Sequence, residues 1–118
     1  MKTEQQIISE IRQNLRELEI EAYGERKHGN REFPPNIYHF YQYFKKLYEA
    51  VYSLSQIENQ KYIPKGYVDI IYDVEREVEA EINYLIEKRK NVDSLEDILP
   101  ILHKIQDNLV CIISKIKD

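Results

Sequence analysis

Four carboxylates recur at intervals of four residues in the sequence, at Asp69, Asp73, Glu77 and Glu81. On an α-helix this spacing places the side chains in one column on one face. Such a column can bind a cation through its carboxylate oxygens or attract a basic surface of another protein. Tyr84 extends the column with a residue type that is favoured at protein interfaces. We therefore predict that these five residues form a partner-binding surface; the alternative is an ordinary solvated helix face.

A metal-dependent reaction would require further ligands. Helical di-metal sites combine Glu residues with a Glu-x-x-His element, which this chain lacks. Glu17 and Glu21 could join Glu77 and Glu81 around Mg²⁺ if their helix faces opposed one another, an arrangement that resembles the MazG-like nucleotide pyrophosphohydrolases. The paired Glu-Glu-x-x-Glu signature of that family is missing. We predict no metal, no cofactor and no catalytic residue, and rank a metal-dependent nucleotide hydrolase third among the functions considered.

The histidines and the cysteine do not form a recognisable catalytic group in the sequence. His28, His39 and His103 are scattered, and none has a nucleophile beside it. Cys111 is the single cysteine, so the chain cannot form an internal disulfide, which fits a reducing compartment. The sequence also has no phosphate-cradling glycine loop and no nucleophile elbow. These observations predict a protein that is not an enzyme.

A second functional hypothesis is association with nucleic acid. The net charge of −4 argues against broad binding to phosphates, because such binding depends on clustered lysine and arginine. A local basic patch remains an alternative. Its candidate residues are Arg26, Lys27, Arg31, Lys45, Lys46, Lys61 and Lys65.

The elements that must position these residues are predicted to be helical. Apolar residues recur at helical spacing in four stretches, which predict an all-α, antiparallel four-helix bundle with helices at about 4–23, 37–59, 66–90 and 95–117. Thr3 and Gln6 have the spacing of a capping box at the start of the first helix. Gly24 is expected to close that helix, and Asn36 to cap the second. Pro100 lies beyond the first turn of the fourth helix and predicts a kink there.

Each helix has an apolar stripe that is predicted to face the core. The inward residues are Ile7, Ile8, Ile11, Leu15, Leu18 and Ala22 in helix 1; Ile37, Phe40, Phe44, Leu47, Val51 and Leu54 in helix 2; Tyr67, Ile71, Val74, Val78, Ile82 and Leu85 in helix 3; and Leu95, Leu99, Leu102, Ile105, Leu109, Ile112 and Ile116 in helix 4. Ile98, Ile101, Val110 and Ile113 widen the last stripe beyond a half-turn. Helix 4 is therefore predicted either to occupy a central position or to pack on a second copy of the chain.

Length and composition set the class of the protein. A chain of 118 residues is predicted to form one domain spanning 1–118. The longest apolar run without proline, Leu109–Ile113, is far shorter than the roughly 20 residues of a membrane-spanning helix. The N-terminus lacks the basic and apolar blocks of a signal peptide, so we expect a cytoplasmic protein.

In size and architecture alone, a helical bundle of this kind resembles bacteriocin immunity proteins and phage or plasmid inhibitors, which act by binding a partner. HEPN-like ribonucleases are also small helical bundles, but their active members have four to six residues between Arg and His. Arg31 and His39 are separated by seven residues. The leading prediction is a non-catalytic protein-binding or regulatory module that binds through the face containing Asp69 and Tyr84.

Overall fold

The computed structural model describes residues 2–23, 37–87 and 95–116, with side chains from Leu99 onward in the last range. Within these ranges the chain contains five α-helices and no β-strand. The helices are α1 (Glu4–Tyr23), α2 (Ile37–Ser55), α3 (Tyr67–Glu87), α4 (Leu95–Asn108) and α5 (Val110–Ile116). The all-α class is confirmed, and the described residues form five helices where the sequence predicted four.

The fifth helix arises from an interruption at Leu109 within the predicted helix 4. The Leu109 amide is shared between the carbonyl oxygens of Ile105, at 3.1 Å, and Gln106, at 3.2 Å. The Asn108 side chain also donates to the carbonyl oxygen of Lys104, at 2.8 Å, and so competes with the backbone. Beyond the interruption, the amide of Ile113 donates to Leu109 O at 2.8 Å. Helical hydrogen bonding therefore resumes at once, although the helix is locally irregular. Pro100 lies inside α4 and does not end it.

The connection between α2 and α3 begins earlier than predicted, at Ser55 instead of about Asn59. Helix α2 ends in short-range bonds, including one from the Ile57 amide to Leu54 O at 3.1 Å, and Asn59 has a φ of 66°. The Gln60 side chain then accepts hydrogen bonds from the amides of residues 62 and 63, both at 2.8 Å. A polar turn therefore replaces the last turn of the predicted helix.

The start of α1 agrees with its sequence signal. The Thr3 amide donates to Gln6 Oε1 at 2.8 Å, and the Gln6 amide donates to Thr3 Oγ1 at 3.2 Å. This reciprocal pair is the predicted capping box, and it satisfies amide groups that the helix cannot satisfy internally. The predicted caps at Gly24 and Asn36, and residues 88–90, lie outside the described residues.

The apolar stripes meet in one core. All predicted inward residues of α2 and α3 are buried, and so are those of α1 except Leu15, which is partly buried. In α4 and α5 the buried residues are Ile101, Leu102, Ile105, Leu109, Ile112 and Ile116. Leu99 and Ile113 are partly buried, and Leu95 and Ile98 fall outside the described side chains. Val110 is 58% exposed, so part of the wide helix 4 stripe faces away from this core.

Neighbouring helices contact one another in a ring: α1 packs on α2, α2 on α3, α3 on α4, and α4 on α1. Contacts between α1 and α4/α5 join Tyr23 to His103 at 3.4 Å and Arg12 to the carbonyl of Ile116. Along these contacts the residue number rises in α1 while it falls in α4/α5. These two segments therefore run in opposite directions. No described helix is long and apolar enough to cross a membrane.

Candidate functional site

The predicted site lies on α3, opposite the buried stripe that contains Ile71 and Val78. All five of its residues are exposed: Asp69, Asp73, Glu77, Glu81 and Tyr84. Tyr84 is 48% exposed, as its predicted outward position requires. The structure therefore brings the predicted residues onto one exposed helix surface.

The acidic residues differ in their surroundings. Glu77 forms an ion pair with Lys104 of α4, and both side chains are about half exposed. Glu77, in the middle of the column, therefore lies towards α4, and Lys104 compensates its negative charge. Exposed ion pairs of this kind contribute roughly 0–1 kcal/mol to stability. Asp69 lies in the first turn of α3, where negative charge also interacts favourably with the helix dipole.

Large apolar side chains lie among these charges. Ile70 and Tyr72 are each 47% exposed on α3, which makes them, with Tyr84, the large apolar residues of this helix that face solvent. The Arg76 guanidinium lies over the Tyr72 ring, 5.9 Å from its centroid, and so covers one face of that ring. Ile70 and Tyr72 were not predicted as site residues, although both lie off the buried stripe of Ile71, Val74 and Val78, which could have indicated their exposure.

A second charged cluster, which was not predicted from the sequence, lies on the side of α3 that faces α2. Glu75 and Glu79 are hydrogen-bonded to each other and lie near Lys45. Burial, followed by the charge and hydrogen bond of Glu79, raises the pKa of Glu75, and Lys45 and Arg76 oppose this with smaller effects. These carboxylates line a helix–helix seam. Their spacing of four residues on the flank of the buried stripe was the available sequence signal.

Tyrosines from α2 pack along the same seam. Tyr41 and Tyr48 are partly buried, and burial is the main cause that raises the pKa of each. The Lys45 ammonium lies 5.0 Å from the centroid of the Tyr41 ring. The negative charge of Glu75 contributes to the raised pKa of Tyr48, which indicates that α3 lies close to this residue. The seam is therefore a packed contact, with less open surface than the outer side of α3.

The described residues of the nucleic-acid hypothesis lie on α2 and on the connection between α2 and α3. Lys45 lies beside α3 carboxylates, and Lys46 lies 5.7 Å from the centroid of the Tyr43 ring. Lys61 and Lys65 are exposed in the connection between α2 and α3. Arg26, Lys27 and Arg31 lie outside the described residues. The hypothesis stays a prediction.

The residues considered for catalysis are placed as follows. His103 is exposed and lies near Tyr23, His39 is exposed on α2, and Cys111 is an exposed free thiol near the buried Tyr67. Burial, and secondarily Cys111, raises the pKa of Tyr67. Within residues 2–23, 37–87 and 95–116, no three His, Cys, Asp or Glu side chains are grouped so that they could hold a metal ion.

A different surface feature lies between α1 and the α4/α5 segment. It is a half-open groove of about 450 Å³ lined by Arg12, Leu15, Arg16, Glu19, Gln106, Asp107, Val110, Ile113 and Ile116. Its floor is apolar and its rim is charged. The irregular residue Leu109 lies between the α4 and α5 residues that form one wall.

Comparison with known protein families, curated protein sequences and solved structures gives no match for this chain.

Proposed function

We propose that this protein is a non-catalytic binding module that recognises a basic protein partner through the outer side of α3. The docking surface, called here the α3 surface, consists of Asp69, Ile70, Tyr72, Asp73, Glu77, Glu81 and Tyr84. The observation that carries the proposal is the half-exposure of Ile70, Tyr72 and Tyr84 among exposed carboxylates. Aromatic and apolar anchors surrounded by charge are the usual composition of a protein interface.

The charges of the α3 surface suggest how recognition would work. Asp69 and Asp73 are exposed, and burying apolar area beside them requires a partner that supplies positive charge. Charge complementarity mainly accelerates encounter and excludes wrong partners, whereas Ile70 and the tyrosines supply contact area. The proposed partner therefore presents lysine or arginine around an apolar centre. The single cysteine is compatible with action in the cytoplasm.

We also propose that the α4/α5 segment serves as the fourth helix of an antiparallel four-helix bundle. The bonds of Leu109 to Ile105 and from Ile113 to Leu109 support this arrangement, because both have the four-residue separation of an α-helix. In this proposal, α3 packs between α2 and the interrupted fourth helix, so its outer side remains exposed.

The experiment compares two double charge reversals in affinity capture. Asp69→Lys with Asp73→Lys changes the α3 surface, and Glu49→Lys with Glu58→Lys changes the net charge equally at exposed residues elsewhere. Extract from the source cells is passed over each immobilised protein, and bound proteins are quantified by mass spectrometry. We expect the first variant to lose a partner that the wild type and the control both retain.

Glu77 is left unchanged in this test, because a lysine there would lie beside Lys104 and could disturb α3–α4 packing. The purified partner is then titrated at two salt concentrations, and binding through the α3 surface should weaken as ionic strength rises. Equal capture by all three proteins would rule out this surface as the docking site. Circular dichroism spectra must be the same for all three.

A further inference from the structure

The charges along the groove between α1 and α4/α5 are separated by sign. Arg12 lies at the end of the groove that contains Ile116, because it donates a hydrogen bond to the Ile116 carbonyl, and Arg16 follows one helical turn further along α1. Glu19 lies towards the opposite end, where Gln106 Nε2 approaches Glu19 Oε1 at 3.4 Å. Asp107 follows Gln106 at that end. The groove is therefore positive at one end and negative at the other.

The centre of the groove is apolar. Leu15 and Ile113 are partly buried there, and Val110 projects at its edge with 58% of its surface exposed. Val110 is the most exposed large apolar side chain among the described residues. The groove thus combines a hollow, an apolar projection beside it and opposite charges at its two ends.

A surface with this arrangement complements itself when rotated by 180° about an axis through its centre. The rotation brings the positive end of one copy over the negative end of the other and places the two apolar centres in contact. A two-fold dimer has this property, because the same patch is used on both subunits. A basic or acidic partner, by contrast, would match one end of the groove and be repelled by the other.

We propose that two copies of this chain pair through this groove around a two-fold axis. Arg12 of each copy faces Glu19 and Asp107 of the other, and Val110 of each copy packs into the apolar centre of the other groove. About 10 Å separates Arg12 from Glu19 along α1 at the usual helical rise, so both charge pairs can form around one apolar contact. The pairing uses a different surface from the α3 surface and does not depend on the proposed function.

The proposal also explains the width of the helix 4 stripe. Leu102, Ile105, Leu109 and Ile112 face the core of their own chain. Val110 and Ile113 lie on the flank towards α1, where the core of the single chain does not cover them fully. In the dimer, that flank is covered by the second copy.

The first test measures molar mass by light scattering across a range of protein concentrations. We expect the mass to rise from one copy to two and then to stop rising, because a two-fold contact closes on itself. A mass that stays at one copy up to roughly 1 mM, where association would be too weak to matter, overturns the proposal. A mass that continues past two copies also overturns it, since that outcome indicates a head-to-tail contact.

The second test uses single charge reversals within the groove. Arg16→Glu makes the groove net negative, and Glu19→Arg makes it net positive, while Arg12 keeps its bond to Ile116 in both. We expect each variant alone to dimerise at least about tenfold more weakly than the wild type, because like charges then face one another. Mixing the two variants should restore a heterodimer. Reversals of equal charge at exposed residues outside the groove, Lys61→Glu and Glu58→Arg, should leave dimerisation unchanged.

The mixing result separates dimerisation from a loss of folding, because misfolded variants would not recover when combined. Failure of the mixture to form a heterodimer overturns the two-fold arrangement. Val110→Asp supplies an independent check, since it places a charge in the apolar centre and should also yield a monomer. Decanoate is also titrated against the wild-type chain. If the groove binds decanoate while the chain remains a single copy, its occupant is a small amphiphilic anion, and the proposal is overturned.

Discussion

The guanidinium of Arg12, in the middle of α1, donates a hydrogen bond to the main-chain carbonyl oxygen of Ile116, the last residue of α5. The two residues are 104 positions apart in sequence, so the bond joins the first helix to the last. It also places a positive charge at a helix C-terminus, where free carbonyl groups carry partial negative charge.

Replacing Arg12 by Gln should therefore lower the free energy of unfolding by about 1 kcal/mol, because the charged hydrogen bond and its interaction with the helix dipole are both lost. Urea denaturation of the monomer at low protein concentration measures this change. Arg16→Gln, at an exposed residue one turn further along α1, is the matched control and should change the monomer's stability by less than about 0.5 kcal/mol. Equal effects of the two substitutions would contradict a specific role for the bond.

Glu75 should make stability depend on pH. Its pKa is raised from an ordinary value of 4.5, first by burial and then by Glu79, so the folded chain holds this proton more tightly than the unfolded chain. The resulting stabilisation is complete below pH 4.5 and is lost as the pH rises through the raised value. Glu75→Gln should consequently raise the urea midpoint at pH 7.

At low pH the advantage of Glu75→Gln should disappear, because the wild-type carboxyl is then neutral as well. Urea midpoints measured from pH 4 to pH 7 test this, and Glu58→Gln at an exposed turn residue provides the comparison. A constant difference between Glu75→Gln and the wild type across this range would show that the ionisation of Glu75 has no part in it.

Pro100 should destabilise α4, since it lies at the sixth residue of the helix and cannot donate the amide hydrogen bond that an interior residue makes. Its side chain is exposed, so substitution removes little packing. Pro100→Ala is expected to raise the free energy of unfolding by about 1–3 kcal/mol, less any gain in freedom of the unfolded chain. Thermal and urea denaturation measure the change, and a decrease in stability would indicate that the proline ring contributes packing that outweighs the missing bond.

Gly66 should resist substitution although there is open space around it. A Cβ atom at this position would meet nothing within 4 Å, but the backbone has a φ of +86°, in the region that side chains disfavour. Gly66→Ala should therefore cost about 1 kcal/mol through backbone strain alone. Asn59 also has a positive φ, in the same connection between α2 and α3. Asn59→Gly should be close to neutral or slightly stabilising. Chemical denaturation of both variants tests the contrast, which would fail if Gly66→Ala matched the wild type.

Helical periodicity predicted the helices and most of the core, because one buried face per helix leaves a strong pattern in the sequence. The reciprocal bonds of Thr3 and Gln6 were predictable for the same reason, since they depend on local spacing. The interruption at Leu109 was not predicted. It depends on competing hydrogen bonds, which neither the pattern of apolar residues nor a glycine reveals in the sequence.

For the site residues too, local spacing was predictable from the sequence, whereas contacts between helices were not. The exposure of Asp69 and Tyr84 followed from their positions opposite Ile71 and Val78. The pairing of Glu77 with Lys104 could not be predicted, because it depends on which helix packs beside α3. The groove could not be predicted from the sequence either, because its charge separation appears only when α1 and α5 lie side by side in opposite directions.

Helix α5 has seven residues, which is too few for an isolated helix to persist in water. Its persistence therefore depends on the burial of Ile112 and Ile116 and on the side chain that reaches it from α1. Of the five described helices, α5 is therefore the one most prone to open while the others stay folded. In native-state hydrogen exchange, its amide protons should be replaced by deuterium together, and earlier than those at the centres of α1 and α2.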